Sequence, residues 1–555
     1  MVLWVVAAAG SALILVVTHP WGIGFVSDSE SYLMAARSLV DGDGLSVFRN
    51  GTSVPLTAFP PLYPILLASL GWAGVDPAVT GRCLSVVLFG LMLAFTGLVV
   101  SRGSRGSRVA PLLAMGIVGT SYNVLQVYGY VLSEQVFLVL LLLCLLKLSD
   151  YLETGRRSHF WVTVSVVGAA CLTRYAGVAL LGAGTVVLLF SPTGSSRRKV
   201  EDAVAFGVLG GLPLALWMLH NVASGFRAAG RPLSPEVSGF DAPMQMALLV
   251  GSWFVPDVMG GALRVIGLLL GLFFFFLAIL GTTGLFRKGW AETLRAELQA
   301  ADRSCLVFLF SYMCMVGVLL FLSNAGLATE ARVLVPAQVA VVVLAGGWLA
   351  KLYRAGSNRR ATQLMVRAAV IGILALNFAW AGAWSVWKFR NGSGFVSEKW
   401  LANRILDGVR ALPSRAVIYS NHPGAIYCMA GRPATMLPGG NPEASVLSKR
   451  TEFLAMREKL HNRGGVIVIF PWVHHEGILS IEEIEHALNP VSTQRAPNGT
   501  AYFFSDGTRV VLDSAREQVR SGTQPGGYVF KCASAPMGGN LHEPGGPGEP
   551  LRMDA

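Results

Sequence analysis

Charge is what this 555-residue chain has least of: Asp, Glu, Lys and Arg together make up 14% of it, against about 25% in soluble proteins. With 53% hydrophobic residues, that shortage excludes an ordinary soluble globular protein. Acidic residues are the scarcer sign, 32 against 44 basic, for a net charge of +12. Such an excess would suit nucleic acid if it formed a stripe. Here the basic residues are spread over short loops between apolar runs, a pattern of membrane topology with no nucleic-acid partner. Cysteine is also sparse, with seven in all. Cys83, Cys144, Cys171, Cys305 and Cys314 fall in or beside apolar runs, where a cysteine acts as a small apolar residue. Cys428 and Cys532 lie outside them, and their spacing demands no disulfide framework. The apolar stretch 2–18 lacks a preceding basic region and a following small-residue cleavage site. It is expected to be a retained first helix rather than a removed signal peptide.

What the chain has in abundance is apolar runs of bilayer length, about 20 residues each. They recur from residue 2 to about residue 386 and stop after Arg390. Helices are expected near 2–18, 79–100, 109–127, 130–148, 160–172, 175–190, 201–220, 261–284, 304–322, 333–351 and 364–386. The fold class is therefore an all-α polytopic membrane bundle of about 11 spans over residues 1–390. Runs of strand and helix character follow over 391–520, reading as a small C-terminal α/β domain, with a Gly- and Pro-rich tail, 521–555, expected to be disordered.

Charge orients the bundle. Arg102, Arg105 and Arg108 mark one loop, and Lys147, Arg156 and Arg157 another. Further clusters are Arg197, Arg198 and Lys199, then Arg287, Lys288, Arg295 and Arg303, then Lys351, Arg354, Arg359 and Arg360. Positive residues collect on the cytoplasmic side. All five clusters share that side only if 160–190 is a helical hairpin with Arg174 near its outer tip. The N-terminus is then cytoplasmic, and the C-terminal domain extracytoplasmic.

The first outer loop, 19–78, is too long for a connector. Tyr32, Leu33, Ala36, Leu39 and Val40 recur at helical spacing, and Pro60-Pro61 opens a second short helix. Both pieces read as helices at the outer interface. Ser27-Asp28-Ser29-Glu30 places two carboxylates at the start of the first of them. One reading is a capping box, with Ser27 as cap and Glu30 reaching back. The other puts Asp28 in a cavity at the membrane surface as a general base, taking a proton from an acceptor hydroxyl. More polar groups converge on the same face: Glu134 opening a helix, Arg174, His220-Asn221, Arg227, Arg231 and Arg332. Ionisable groups at membrane depth mark function by default, although a single arginine at the interface can simply snorkel. Arginine is the side chain suited to a phosphate, through bidentate hydrogen bonds and a permanent charge.

These segments together resemble the GT-C membrane glycosyltransferases of the protein-mannosyltransferase and aminoarabinose-transferase type. Ser27-Asp28-Ser29-Glu30-Ser31-Tyr32-Leu33-Met34-Ala35-Ala36-Arg37 is similar to that family's first-loop motif. Phe59-Pro60-Pro61-Leu62-Tyr63-Pro64 is similar to its Pro-Pro-Leu-Tyr-Pro segment. Leu132-Ser133-Glu134, Leu172-Thr173-Arg174-Tyr175, Trp217-Met218-Leu219-His220-Asn221 and Arg332-Val333-Leu334-Val335-Pro336 follow in the family's order. Two departures stand out: Ser29 separates the acids, which are adjacent in many relatives, and His220 stands where an arginine is common.

The resemblance implies inverting sugar transfer from a polyprenyl-phosphate donor to a hydroxyl of a glycan, lipid or protein acceptor. Asp28, Glu30 and Glu134 are its candidate catalytic acids, with Asp28 the base. Arg174, Arg231, Arg332, His220 and Asn221 are its candidate donor-phosphate ligands. No cofactor is required, although Glu134 could position an acceptor or a divalent ion. His474-His475-Glu476 lacks a second ligand pair and reads as surface. Asn50-Gly51-Thr52 fits a glycosylation acceptor. The alternative reading is a transporter or flippase of a lipid-linked precursor, using the same polar cavity for passage.

Overall fold

The computed structural model describes residues 1–504 except 50–51, 105, 192–193, 230–240, 256–264, 272–298, 323–329, 355–359, 402–403, 414–415, 439–445, 471–487, 489, 491 and 497–498. Arg231, Arg105, Arg287, Lys288, Arg295, Arg359, Cys532, His474-His475-Glu476, most of the span expected at 261–284 and the tail 521–555 lie outside the described residues. The chain divides into two compact units, Met1–Asn403 and Arg404–Ala555.

The first unit is helical. Helix α1 (Val2–Val17) precedes the first-loop helices α2 (Ser27–Asp41) and α3 (Leu62–Ala68). Then come α4 (Pro77–Gly103), α5 (Val109–Thr120), α6 (Tyr122–Gly129) and α7 (Glu134–Thr154). They are followed by α8 (Arg157–Thr173), α9 (Gly177–Leu189), α10 (Ser196–Ala223) and α11 (Asp241–Gly251). Helices α12 (Ala300–Leu322), α13 (Val335–Arg354) and α14 (Arg360–Asn391) complete the bundle. Among the described residues, six helices are long and apolar enough to cross a membrane, or seven if the bent pair α5–α6 is one span. The chain is a multi-pass membrane protein. Of the four other expected spans, three correspond to α1, α8 and α9, only 16, 17 and 13 residues long, and the fourth, 261–284, lies mostly outside the described residues.

Local features shape the bundle's helix ends. The stretch 109–127, expected as one helix, is broken at Ser121, whose extended backbone (φ −64°, ψ 125°) bends α6 by 60° from α5. Between α8 and α9 the chain turns at Arg174. A Cβ added to Gly177 would sit 2.6 Å from Cys171 Cα, so only glycine lets the start of α9 lie on the last turn of α8. Proline at its first position and the Asp76 carboxylate, accepting from Ala78 N–H at 2.8 Å, begin α4. A feature the sequence reading did not anticipate is an antiparallel ribbon, β1 (Ser46–Arg49) with β2 (Thr52–Pro55). The Asn50-Gly51 pair between the strands is the dipeptide preferred in two-residue hairpin turns.

The second unit contains a five-stranded sheet. Its strands are β3 (Val417–Ser420), β4 (Thr435–Met436), β5 (Gly465–Ile469), β6 (Ser492–Ala496) and β7 (Gly499–Phe503), in spatial order β4-β3-β5-β7-β6. The β4-β3-β5 side is parallel and the β5-β7-β6 side antiparallel. Tyr419, Leu460, Ile467 and Tyr502 pack in its core. Buried Asn421 brackets the backbone of Phe470, donating to its carbonyl at 2.8 Å and accepting from its N–H at 2.9 Å.

Candidate functional site

The site grows from a seam between two loops. Gly24 N–H donates to Gly129 O at 2.9 Å, and Val131 N–H donates to Gly24 O at 3.0 Å. A Cβ at Gly24 would lie 2.5 Å from Ser393 Oγ and 2.6 Å from the Tyr130 ring, so the approach requires glycine. The seam sets the entry of α2 against the entry of α7. Val26 is extended and α2 begins at Ser27. The side chain that ties down the turn is Ser29, whose hydroxyl accepts from Val26 N–H at 3.1 Å and donates to Val131 O at 2.8 Å. This corrects the capping-box reading. Ser29, the serine separating the two acids, does the reaching back, and the capping role assigned to Glu30 is not needed.

On this frame four residues from distant segments meet. Asp28 occupies the first turn of α2, and Glu134 is the first residue of α7. Arg174 sits in the turn between α8 and α9. Arg332 lies in a short 3-10 turn, Ala331–Leu334, that leads into α13. The Arg332 guanidinium is 2.8 Å from Asp28 Oδ2 and 3.6 Å from Glu134 Oε1, and it also bonds Glu330 through Nε. Arg174 is 2.5 Å from Glu134 Oε2 and donates to Ser133 Oγ at 3.0 Å. Ser133 shares a 2.9 Å hydrogen bond with Tyr32, buried between Phe59 and Tyr63 at centroid distances of 4.8 and 5.0 Å. Tyr312 donates to Val333 O at 2.7 Å and so holds the turn that carries Arg332. Tyr175 anchors the first loop by donating to Thr57 O at 3.0 Å.

The remaining sequence candidates fall elsewhere. Glu30 is adjacent in sequence, yet its carboxyl is held well above the usual carboxylate range, first by burial and then by the neighbouring Asp28 charge. Asn221 is buried and donates to Ala228 O at 2.9 Å, closing the turn after α10. His220 is exposed, with its ring 5.6 Å from that of Trp217. Neither Glu330 nor Tyr312 was singled out from the sequence, and Ser133 was named there only within the Leu132-Ser133-Glu134 motif. Only Glu330 carried a signal, an acid two residues before a membrane-depth arginine.

Behind the seam lies Lys388, near the end of α14. It is fully buried and bonded to Gly129 O at 2.8 Å and to Ser393 Oγ, with the Tyr130 ring 4.8 Å away. Beside the charged cluster opens a cavity of about 360 Å³, bounded by Ser27, Gln126, Tyr130, Leu132, Glu330 and Arg332. No group of three or more His, Cys, Asp or Glu suited to a metal ion occurs among the described residues. Chemically, the arrangement offers three carboxylates, of which Glu330 lines the cavity, and two guanidiniums able to receive an anion. A tyrosine–serine pair braces the second guanidinium.

No protein-family model and no curated protein sequence matches this chain. Solved structures do match in fold. ArnT from Cupriavidus metallidurans in the apo state aligns with 91% of this chain and 98% of its own, at a TM-score of 0.54 and 13% identity. The same protein bound to undecaprenyl phosphate aligns over the same shares at 0.53. Arabinofuranosyltransferase AftD from Mycobacteria aligns with 91% of this chain and 40% of its own, at 0.53 and 14% identity. The chain has the GT-C fold, as the order of its motifs suggested.

Proposed function

We propose that this protein is a membrane glycosyltransferase that moves a sugar from a polyprenyl-phosphate donor to an acceptor hydroxyl. The acceptor belongs to a glycan, a lipid or a protein. One observation carries the reading: Asp28, Glu134, Arg174 and Arg332, far apart in sequence, form a single charged cluster beside a cavity. Buried charge of that density is costly, and a fold retains it where chemistry uses it. The shared fold with ArnT, whose structure holds undecaprenyl phosphate, agrees with such a donor.

In this mechanism the donor phosphate takes the Arg332 guanidinium, and with it Arg174. Arg332 then leaves Asp28, freeing a carboxylate to act as base just when the donor is in place. Asp28 accepts the proton of the acceptor hydroxyl as that oxygen attacks the anomeric carbon. The bond from that carbon to the phosphate oxygen breaks, and the electron pair leaves on the polyprenyl phosphate. Attack opposite the leaving group inverts the anomeric centre. The two arginines stabilise the charge growing on the phosphate, where preorganised donors help most. Glu134 holds both guanidiniums in place. The phosphate leaves without protonation, so no second acid is required, and Glu30 stays outside the proton transfer.

The site faces the extracytoplasmic side, with the N-terminus cytoplasmic and the C-terminal unit outside. The basic loops support this sidedness. The test of function follows labelled sugar from a polyprenyl-phosphate donor into an acceptor fraction, using full-length protein in lipid nanodiscs. Transfer by the wild type and none by Asp28→Asn is the expected result. Passage of the lipid-linked sugar across vesicles without transfer would replace the enzyme reading with a transporter.

A further inference from the structure

Resting on that reading, we propose that the cavity beside Arg332 is the subsite for the donor's glycosyl group and that Glu330 makes it select an uncharged sugar over an anionic one. The position follows from connectivity. A donor sugar is joined to its phosphate through one oxygen, so a phosphate on Arg332 places the ring in the space that Arg332 itself bounds.

The walls suit a sugar. Ser27 brings a hydroxyl to the lining, Gln126 an amide, Tyr130 an aromatic ring, Glu330 a carboxylate and Leu132 an apolar side chain. Hydroxyl groups need both donors and acceptors, and the C–H face of a ring needs an apolar or aromatic surface. A volume of about 360 Å³ lies at the small end of ligand pockets, which fits one ring better than a chain of them.

The charge decides the class. Three carboxylates (Asp28, Glu134 and Glu330) face two guanidiniums (Arg174 and Arg332) in this cluster. The donor phosphate already claims the positive side. What remains for the sugar is a negative wall, and Glu330, half exposed and bonded to Arg332, is the part of it that reaches the cavity. A sugar carboxylate there would meet a like charge, whereas a hydroxymethyl group in its place can donate a hydrogen bond to Glu330.

The test uses a matched pair of probes, decaprenyl-phosphoryl glucose and decaprenyl-phosphoryl glucuronate, which differ only at the sixth carbon. Decaprenyl phosphate alone is the reference, and dissociation constants are measured on full-length protein in nanodiscs. The wild type should bind the glucose lipid at least about tenfold more tightly than the glucuronate lipid. In Glu330→Gln the ratio should fall to within about threefold, through a gain for glucuronate. Equal affinity of the wild type for both probes, with decaprenyl phosphate still bound, would remove the subsite and leave the glycosyltransferase reading intact. A tenfold ratio surviving in Glu330→Gln would take the selectivity away from Glu330. Selectivity seen only between free methyl glycosides in the presence of decaprenyl phosphate would give the cavity to the acceptor and overturn the donor assignment. Failure of decaprenyl phosphate to bind would overturn the function and the subsite together.

Discussion

Helix α7 carries a buried carboxylate near each end, and the two ends use the same chemistry for different purposes. At one end Glu134 meets Arg174 and Arg332, with the side chains of these arginines only 23% and 19% exposed. At the other, Asp150 is paired with Arg102, Lys147 at 3.1 Å and His159 at 4.0 Å, and the Arg102 side chain is 39% exposed. Nearby Asp202 is bonded by Arg157 and Tyr151, with Arg198 at 3.8 Å, and both arginines again reach water. The helix of 21 residues holds these ends about 30 Å apart. Where arginines reach water, each pairs with one carboxylate, Arg102 and Arg157 across neighbouring helices and Arg198 within its own. That is a staple, with the aliphatic stem in lipid or protein and the head solvated. Where the arginines are enclosed, Arg332 is shared by carboxylates from three segments beside a cavity. Sharing and enclosure, rather than the presence of an ion pair, distinguish the site from the staples.

The comparison breaks most sharply if the two ends respond alike to loss of an acid. Asp28→Asn should lower transfer about 100- to 10,000-fold with the protein still folded, since only the basic carboxylate is lost. Normal turnover in that variant, by labelled-sugar assay, would remove the first-loop acid from the chemistry. Arg332→Lys and Arg174→Lys keep the charge and lose the planar fork, so donor KM should rise about tenfold at normal expression. Unchanged kinetics in both would make these arginines staples as well. Asp202→Asn should do the opposite. Turnover per folded molecule should be retained, and thermal unfolding in detergent should show a loss of about 1 kcal/mol, because the freed arginines can rehydrate. A large loss of activity there would erase the distinction between the two ends.

Glu30→Gln should have the smallest effect. The folded-state pKa of Glu30 is raised, so the folded protein keeps a proton that the unfolded chain releases near the ordinary carboxylate pKa. Its contribution to stability therefore declines as pH rises from that value through the raised folded pKa. Glutamine mimics the protonated acid and should match the wild type at low pH and exceed it in stability above this window. Activity should stay within about threefold of wild type. Melting curves across pH with no difference between the two proteins would show that Glu30 is not held protonated. Sidedness has its own check: Leu454→Cys, at an exposed position of the C-terminal unit, should react with an impermeant maleimide in intact cells. Reaction only after the membrane is opened would invert the topology.

Much of this protein could be read without a structure, and the reason is physical. A bilayer demands long apolar runs and penalises charge within them, so spans, basic loops and stray polar residues stand out in one dimension. Asp28, Glu134, Arg174 and Arg332 were visible because each is an ionisable group where lipid or its interface makes one costly. The break at Ser121 was not visible, since backbone dihedrals leave little trace in hydropathy, whereas the end of α8 at Thr173 falls where the hairpin turn at Arg174 was expected. Glu30 and Asp28 look equivalent in sequence, two acids separated by a serine. Only packing separates them, by burying one carboxyl and pairing the other with an arginine from a remote turn.

Composition and order of segments thus determined by themselves that this is a polytopic membrane chain with its acids and arginines at the ends of spans, because transfer free energy acts residue by residue. Tertiary structure alone decided which of those charges meet. The Gly24–Gly129 seam, the buried Lys388 behind it and the enclosure of Arg332 all depend on contacts between segments far apart in the chain. A pairing energy exists only once the fold has brought both partners together and taken the water from between them.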